Sequence, residues 1–338
     1  MNRTKLLPVF LFLLLLACQM PNVAGLPFSP TSTPTATLAP TLTVAPTITA
    51  TATETSAPTV TSTPAPLARR VLILSIDGLR PEIISLAPMS NLLALMQNSA
   101  YTLSAQTVYP SVTLVSHSSM LTGLCPSKHG VDWNDYIPEK GIAQGVDLFD
   151  IAHAAGFQTV MHVGKEKLRQ ITDPSSLDIF TYVNDRDLVV AKRLIADFPE
   201  NFGVMFVHFP LVDGMGHAFG WLSSPQLSVA YRADEALGLI LAEVDARGLR
   251  GETLIIVTAD HGGHDTTHGY SLPEDMTIPW IASGAGIQPK VLTTRVHTMD
   301  TASTAAFALG LPIPAEWDGV PVYEAFGLPA EKTSAECP

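Results

Sequence analysis

Three carboxylates and three imidazoles stand where apolar runs of this chain come to an end. Asp77 directly follows the run Val71–Ile76, in Ser75-Ile76-Asp77-Gly78. Asp213 and His217 are four apart in Val212-Asp213-Gly214-Met215-Gly216-His217, just after Gly203–Phe209. Asp260 and His261 close the run Thr253–Thr258, in Ala259-Asp260-His261-Gly262-Gly263, and His268-Gly269-Tyr270 follows shortly. An acid set at the end of a buried apolar strand is costly unless it is paired or metal-bound. Asp and His four apart reach one ion from a helical turn or a tight loop. Six oxygen and nitrogen donors suit two zinc-like ions with positions left open, whereas hard ions prefer oxygen alone.

A hydroxyl candidate lies between the first two clusters, in Tyr109-Pro110-Ser111-Val112-Thr113. Pro110 and Ser111 read as a helix start, which puts Thr113 in the first turn. A helix N-terminus offers free N–H groups and the positive end of its dipole to an alkoxide or a phosphate oxygen. A metal on the hydroxyl would activate it as a nucleophile. Taken alone, a Thr there is more simply a cap. Ser111, Ser116 and Ser118 are read as helix contacts.

The elements that must position these residues alternate. Apolar, β-branched runs predict strands at Val71–Ile76, Gln158–Val163, Gly203–Phe209, Thr253–Thr258 and Thr277–Ser283. Helical spacing predicts helices at Ser90–Ser99, Leu148–Ala155, Asp185–Asp197, Pro225–Arg247 and Asp300–Leu309. This is the pattern of an α/β fold, a mostly parallel central sheet with helices on both faces. Its sites form outside the carboxyl ends of the strands, where the acids and histidines lie.

The N-terminal part is a different material. Residues 1–18 join Arg3 and Lys5 to the apolar run Leu6–Ala17, too short for the about 20 residues that span a membrane. The run ends in Leu15-Leu16-Ala17-Cys18, which resembles a lipobox, with Cys18 the expected lipid anchor. Residues 19–66 are expected to be a disordered linker. Residues 27–66 hold fourteen Thr, eight Pro and four Ser, with Glu54 the only charge, too little apolar area to offset ordering entropy. Residues 67–338 form the globular domain. The 338-residue chain has a net charge of −12, which argues against a general nucleic-acid binder and not against a phosphate ester at a metal centre. Of three cysteines, Cys125 and Cys337 remain beside the anchor, and nothing in the sequence pairs them.

The globular domain resembles the alkaline phosphatase superfamily, in its nucleotide pyrophosphatase/phosphodiesterase (type I phosphodiesterase) branch. The resemblance covers residues 68–330 and rests on motifs in order: Asp77-Gly78, Pro110-Ser111-Val112-Thr113, Leu121-Thr122-Gly123, His129-Gly130 with Asn134, Asp213-x-x-x-His217, Asp260-His261-Gly262 and His268-Gly269-Tyr270. It implies that Asp77, Thr113, Asp260 and His261 surround one zinc, and that Asp213, His217 and His268 hold a second. It implies that Asn134, helped by the Leu114 amide, binds a nonbridging phosphoryl oxygen. It further implies attack by Thr113 on phosphorus and a phospho-threonine intermediate. Other divalent ions could stand in for zinc.

The chain also departs from that pattern. Only six residues separate His261 from His268, where larger phosphodiesterases carry a long insertion. His264 and His297 are alternative imidazoles to His268. His117 is expected to pack beneath the site, and His129 to support it. His153, His162 and His208 are read as core or surface residues. Lys165 and Lys167, within reach of an anionic substrate, are read as part of a solvated turn.

The expected function is therefore a two-metal phosphodiesterase acting on a small phosphate ester. The expected location is outside the cytoplasm, on a bacterial membrane through Cys18, with no protein partner. The alternatives are a phosphomonoesterase or phosphonate hydrolase, and a lipid-anchored binding protein. No arginine clamp for a dianionic monoester is evident near Thr113. A sulfatase is disfavoured because no Cys/Ser-x-Pro-x-Arg motif occurs.

Overall fold

The computed structural model describes residues 66–329, 333, 334, 336 and 337. The expected signal peptide 1–18, the anchor Cys18 and all but the last residue of the expected linker 19–66 lie outside the described residues. Eight strands form one sheet: β1 (Arg70–Ile76), β2 (Ser99–Gln106), β3 (Gln158–Val163), β4 (Ile179–Tyr182), β5 (Phe202–Phe209), β6 (Thr253–Thr258), β7 (Thr277–Gly284) and β8 (Lys290–Val291), in the order β4-β3-β5-β1-β6-β7-β2-β8. The helices are α1 (Pro81–Leu86), α2 (Ser90–Met96), α3 (Thr113–Thr122), α4 (Pro126–His129), α5 (Leu148–Ala154), α6 (Asp187–Ala196), α7 (Leu211–Phe219), α8 (Ser224–Ala246), α9 (Pro273–Met276) and α10 (Asp300–Ala308).

The apolar runs occupy the centre. Every residue of β5 and β6 is buried, as is all of β1 after Arg70. Burial on both faces explains why these strands read as unbroken hydrophobic segments. One helix group, α1, α2, α6 and α7, packs around α8; another, α3 and α5, packs around α10. Asp234 of α8 accepts from the Asn91 and Leu92 amides and so caps the first turn of α2.

Register levels the strand ends. Ser75 of β1 lies opposite His208 of β5 and Thr258 of β6, and Val163 of β3 also faces His208. The residues that follow, Asp77, Lys165, Asp213 and Asp260, are thereby delivered to one edge.

The sheet is mixed where the sequence pattern is weakest. β7 runs antiparallel to both β6 and β2. Pro279, in the middle of β7, has no N–H to give. The ladder with β2 is irregular between Thr102 and Ala105, directly opposite it. The helix expected over Ser90–Ser99 stops at Met96, and Ser99 opens β2 instead.

Cys125 and Cys337 form a disulfide, with an S–S distance of 2.03 Å and Cα atoms 5.4 Å apart. The sequence offers no reason to pair them. A sequence separation of 212 residues carries no local signal for the pairing. The bond ties the C-terminal segment to the start of α4. Closing so long a loop restricts the unfolded chain, by about 2–5 kcal/mol. Cys125→Ser should lower the thermal midpoint by roughly 5–10 °C in a calorimetric scan. Reductant should do the same to the native protein, and an unchanged midpoint in both would show the bond to be energetically idle.

Candidate metal and phosphoryl site

Each functional side chain is held by a distinct local device. Asp77 ends β1, and Gly78 after it takes φ +71°, with its α-carbon so close to Asp213 that a Cβ would lie 2.9 Å from the Asp213 Cα. Only glycine permits both the conformation and the approach. The Gly78 amide donates to Asp260 Oδ1 at 3.2 Å, and its carbonyl accepts from the Trp221 indole at 3.0 Å. Asp213 and His217 lie one turn apart on α7, so they share a face. Thr113 is the first residue of α3, after Val112 in extended conformation. The helix thus begins slightly later than Pro110-Ser111 implies, and Thr113 keeps its place in the first turn.

These elements bring the six predicted carboxylate and imidazole ligands together. His261 Nε2 lies 3.4 Å from Asp77 Oδ1 and 3.3 Å from Asp260 Oδ2. His217 Nε2 and His268 Nε2 lie 3.4 and 3.5 Å from Asp213 Oδ1. The rings of His261 and His268 stack at 3.7 Å. Two groups have metal-compatible spacing: Asp213, His217 and His268; and Asp77, Asp213 and His261. Asp213 belongs to both. Asp260 borders the second group through His261.

The chemistry of these donors fits divalent ions. Asp77 Oδ1, Asp213 Oδ1, Asp260 Oδ2 and His261 Nε2 are buried without a hydrogen-bond partner. Buried polar atoms are rarely left so. In addition, each imidazole has its Nδ1 against a backbone carbonyl: His261 on Gly262 at 2.7 Å, His217 on Thr266 at 2.9 Å, and His268 on Ser111 at 2.8 Å. An Nδ1–H donated to a carbonyl leaves the Nε2 lone pair aimed at the cluster, which is how metal-binding histidines are oriented.

Electrostatics record the same crowding. Burial opposes a charge on Asp77, yet Lys165, with His208 and His261, holds its carboxyl well below the usual range. Burial and the neighbouring Asp77 push Asp260 up. Burial works against a charged His261, but Asp260, Asp77 and Asp213 raise it. Burial and the proximity of His261 push His268 down to about 4.

Lys165 is the principal correction to the sequence reading. It is not in a solvated turn. Its Nζ lies 2.7 Å from Asp77 Oδ2, 2.6 Å from Asp213 Oδ2 and 3.2 Å from Thr113 Oγ1. Two residues past β3, it obeys the strand-end rule that located the acids and histidines. His208 is likewise more than core filling, since its Nε2 lies 2.9 Å from Asp77 Oδ2. His117 packs beneath the site as expected, its ring bridging the Thr113 carbonyl and Ser75 Oγ, each at 2.8 Å. His129 is buried against Ser119 of α3 at 2.9 Å. The alternatives to His268 point elsewhere: His264 to Asp275 at 2.7 Å, His297 to Ser334 at 2.6 Å.

Asn134 is brought to Thr113, but with a different partner arrangement from the one expected. Its Oδ1 accepts from the Leu114 amide at 2.9 Å. That amide is therefore taken up by the Asn134 side chain.

Residues 71–295 match the family model described as type I phosphodiesterase / nucleotide pyrophosphatase. An uncharacterised pyrophosphatase/phosphodiesterase of Schizosaccharomyces pombe is 25% identical over 217 residues, 57% of this chain and 44% of the relative. The chain spans less than half the length of the curated relatives it matches. Among solved structures, an inactive murine ectonucleotide pyrophosphatase/phosphodiesterase 5 in complex with AMP aligns with TM-score 0.64 and 15% identity, over 77% of this chain and 99% of that one. A 2-O GAG sulfatase aligns with TM-score 0.65 and 14% identity, over 79% and 76%. The fold is thus common to both chemistries, and only the site residues can choose between them.

After dialysis against zinc, elemental analysis of the purified protein should find about two equivalents. His268→Ala should retain about one, and Asp213→Ala, which strips a ligand from both groups, should retain the least. Undiminished metal in Asp213→Ala would contradict the assignment.

Proposed function

We propose, for a chain that belongs to the type I phosphodiesterase / nucleotide pyrophosphatase family, a zinc-dependent hydrolase of small phosphate esters that works through a phospho-threonine at Thr113. The observation that carries this reading is the convergence of four unpartnered buried donors beside the first hydroxyl of a helix. Asp77, Asp260 and His261 would hold one ion next to Thr113, and Asp213, His217 and His268 the other. Bound there, the ions supply positive charge for the attacking and leaving oxygens of an in-line displacement.

The residues of the chain account for the rest. Thr113 Oγ1 gives up its proton to solvent and attacks phosphorus. As the Oγ1–P bond forms, the bond to the leaving oxygen breaks, and that oxygen departs with the electron pair and takes a proton from water. Asn134 Nδ2 and the N-terminal end of α3 face the charge on the nonbridging oxygens. A water molecule then attacks the phospho-threonine, and Oγ1 leaves with its electron pair and regains a proton. The sum is one ester bond hydrolysed by one water. The open side lies at His217, whose side chain is 46% exposed, so substrate enters across α7.

The same reading places the enzyme outside the cytoplasm, held to a membrane by lipidated Cys18 through the Thr/Pro-rich segment. Among the described residues, no helix is long and apolar enough to cross a membrane. A diester is the proposed substrate class because residues 71–295 match the type I phosphodiesterase family model and no arginine clamp for a dianionic monoester is evident near Thr113.

Zinc-loaded protein should hydrolyse bis-p-nitrophenyl phosphate faster than p-nitrophenyl phosphate, and a chelator should abolish both activities. Thr113→Ala should lose turnover by at least about 10³-fold while keeping its fold and metal content. Comparable rates in Thr113→Ala would rule out the phospho-threonine route.

A further inference from the structure

We propose that Lys165 is a catalytic residue, an ammonium that steadies ionised Thr113 Oγ1 and binds a nonbridging oxygen of the phosphoryl group transferred to it. The proposal rests on the hydrolase reading above and adds to it a cation that the motif set does not contain. Lys165 Nζ contacts the reacting hydroxyl itself, at 3.2 Å. Its side chain is 20% exposed, enough for an anion to reach it from the open side.

The arrangement of carboxylate oxygens separates the lysine from the ions. Lys165 takes Asp77 Oδ2 and Asp213 Oδ2, at 2.7 and 2.6 Å. The opposite oxygens, Asp77 Oδ1 and Asp213 Oδ1, face the imidazoles and have no hydrogen-bond partner. A lysine and metal ions can therefore use the same two carboxylates from opposite sides. The position of Lys165 is also built. Gly164 before it packs against the Pro210 ring so closely that a Cβ would lie 2.3 Å from the ring. Its amide donates to His208 Nδ1 at 3.3 Å, and His208 contacts Asp77 through Nε2. The backbone that carries the lysine is thus tied to the acid it pairs with.

The chemical role follows from charge. Lys165 Nζ lies between Asp77 Oδ2, Asp213 Oδ2 and Thr113 Oγ1, so as an ammonium it is a positioned donor where negative charge gathers on Oγ1 and on the phosphoryl oxygens. It also supplies the positive charge for a second negative charge on a monoester, the clamp that no arginine provides.

The test uses the full protein loaded with zinc, as wild type and Lys165→Met, with metal content measured in each. Calorimetric titration with inorganic phosphate and rates on bis-p-nitrophenyl phosphate and p-nitrophenyl phosphate are the readouts. With zinc content preserved, Lys165→Met should bind phosphate at least about 10-fold more weakly and lose about 100-fold in kcat, with the monoester losing more than the diester. Phosphate affinity and kcat within threefold of wild type, together with tighter zinc binding, would overturn the proposal and leave Lys165 as a mere counter-ion to empty carboxylates. A crystal structure of the zinc-loaded wild type with vanadate decides the matter without any variant. Lys165 Nζ in hydrogen-bond contact with a vanadate oxygen supports the role, and Lys165 turned out of the site overturns it. If wild type hydrolyses neither ester, the hydrolase reading fails, while phosphate binding and the vanadate complex still judge the lysine.

Discussion

Three carboxylates buried within reach of one another at the end of a sheet cannot stay ionised without cations, and this requirement organises the structure around them. Asp77, Asp213 and Asp260 come from three adjacent strands whose ends are level. Glycine at position 78 lets the first loop touch the second. Backbone carbonyls orient three imidazoles so that their Nε2 atoms meet the acids. Desolvated charge and unpartnered donors each cost free energy alone. Together they make sense as a receptacle for positive charge beside Thr113. In the described structure Lys165 supplies part of that charge and leaves four donors unsatisfied.

The central strands and the ligand set were legible because the physics there is local. A strand buried on both faces must be an unbroken apolar run, so β1, β3, β5 and β6 could be read with ends correct to about one residue. The ligands follow such runs directly. What could not be read depends on long-range pairing. β2 and β4 have partly exposed faces and mixed patterns, β8 has only two residues, and the partner of Cys125 is far away in sequence. Lys165 is a different kind of miss. Its place after β3 was visible, but a lysine that opens the charged run Lys165-Glu166-Lys167 looks like surface. Its contacts with Asp77, Asp213 and Thr113 show that it faces inward.

Fold likeness alone would leave the chemistry open, since a phosphodiesterase and a sulfatase align with this chain almost equally well. The decision falls to particular atoms. The Thr113 hydroxyl at the start of α3 is met by Lys165 Nζ, and the Asn134 oxygen is occupied by the Leu114 amide. The Thr113 hydroxyl therefore stands beside an acid–imidazole cluster, with Asn134 held at the first turn of the same helix.

The most direct test of a two-ion receptacle is an anomalous difference map, collected at the zinc edge from crystals of the zinc-loaded protein. Two peaks are predicted, one within ligand distance of Asp213, His217 and His268, and one within ligand distance of Asp77, Asp260 and His261. A map with no peak at these residues, with Lys165 still paired to Asp77 and Asp213, would contradict the account.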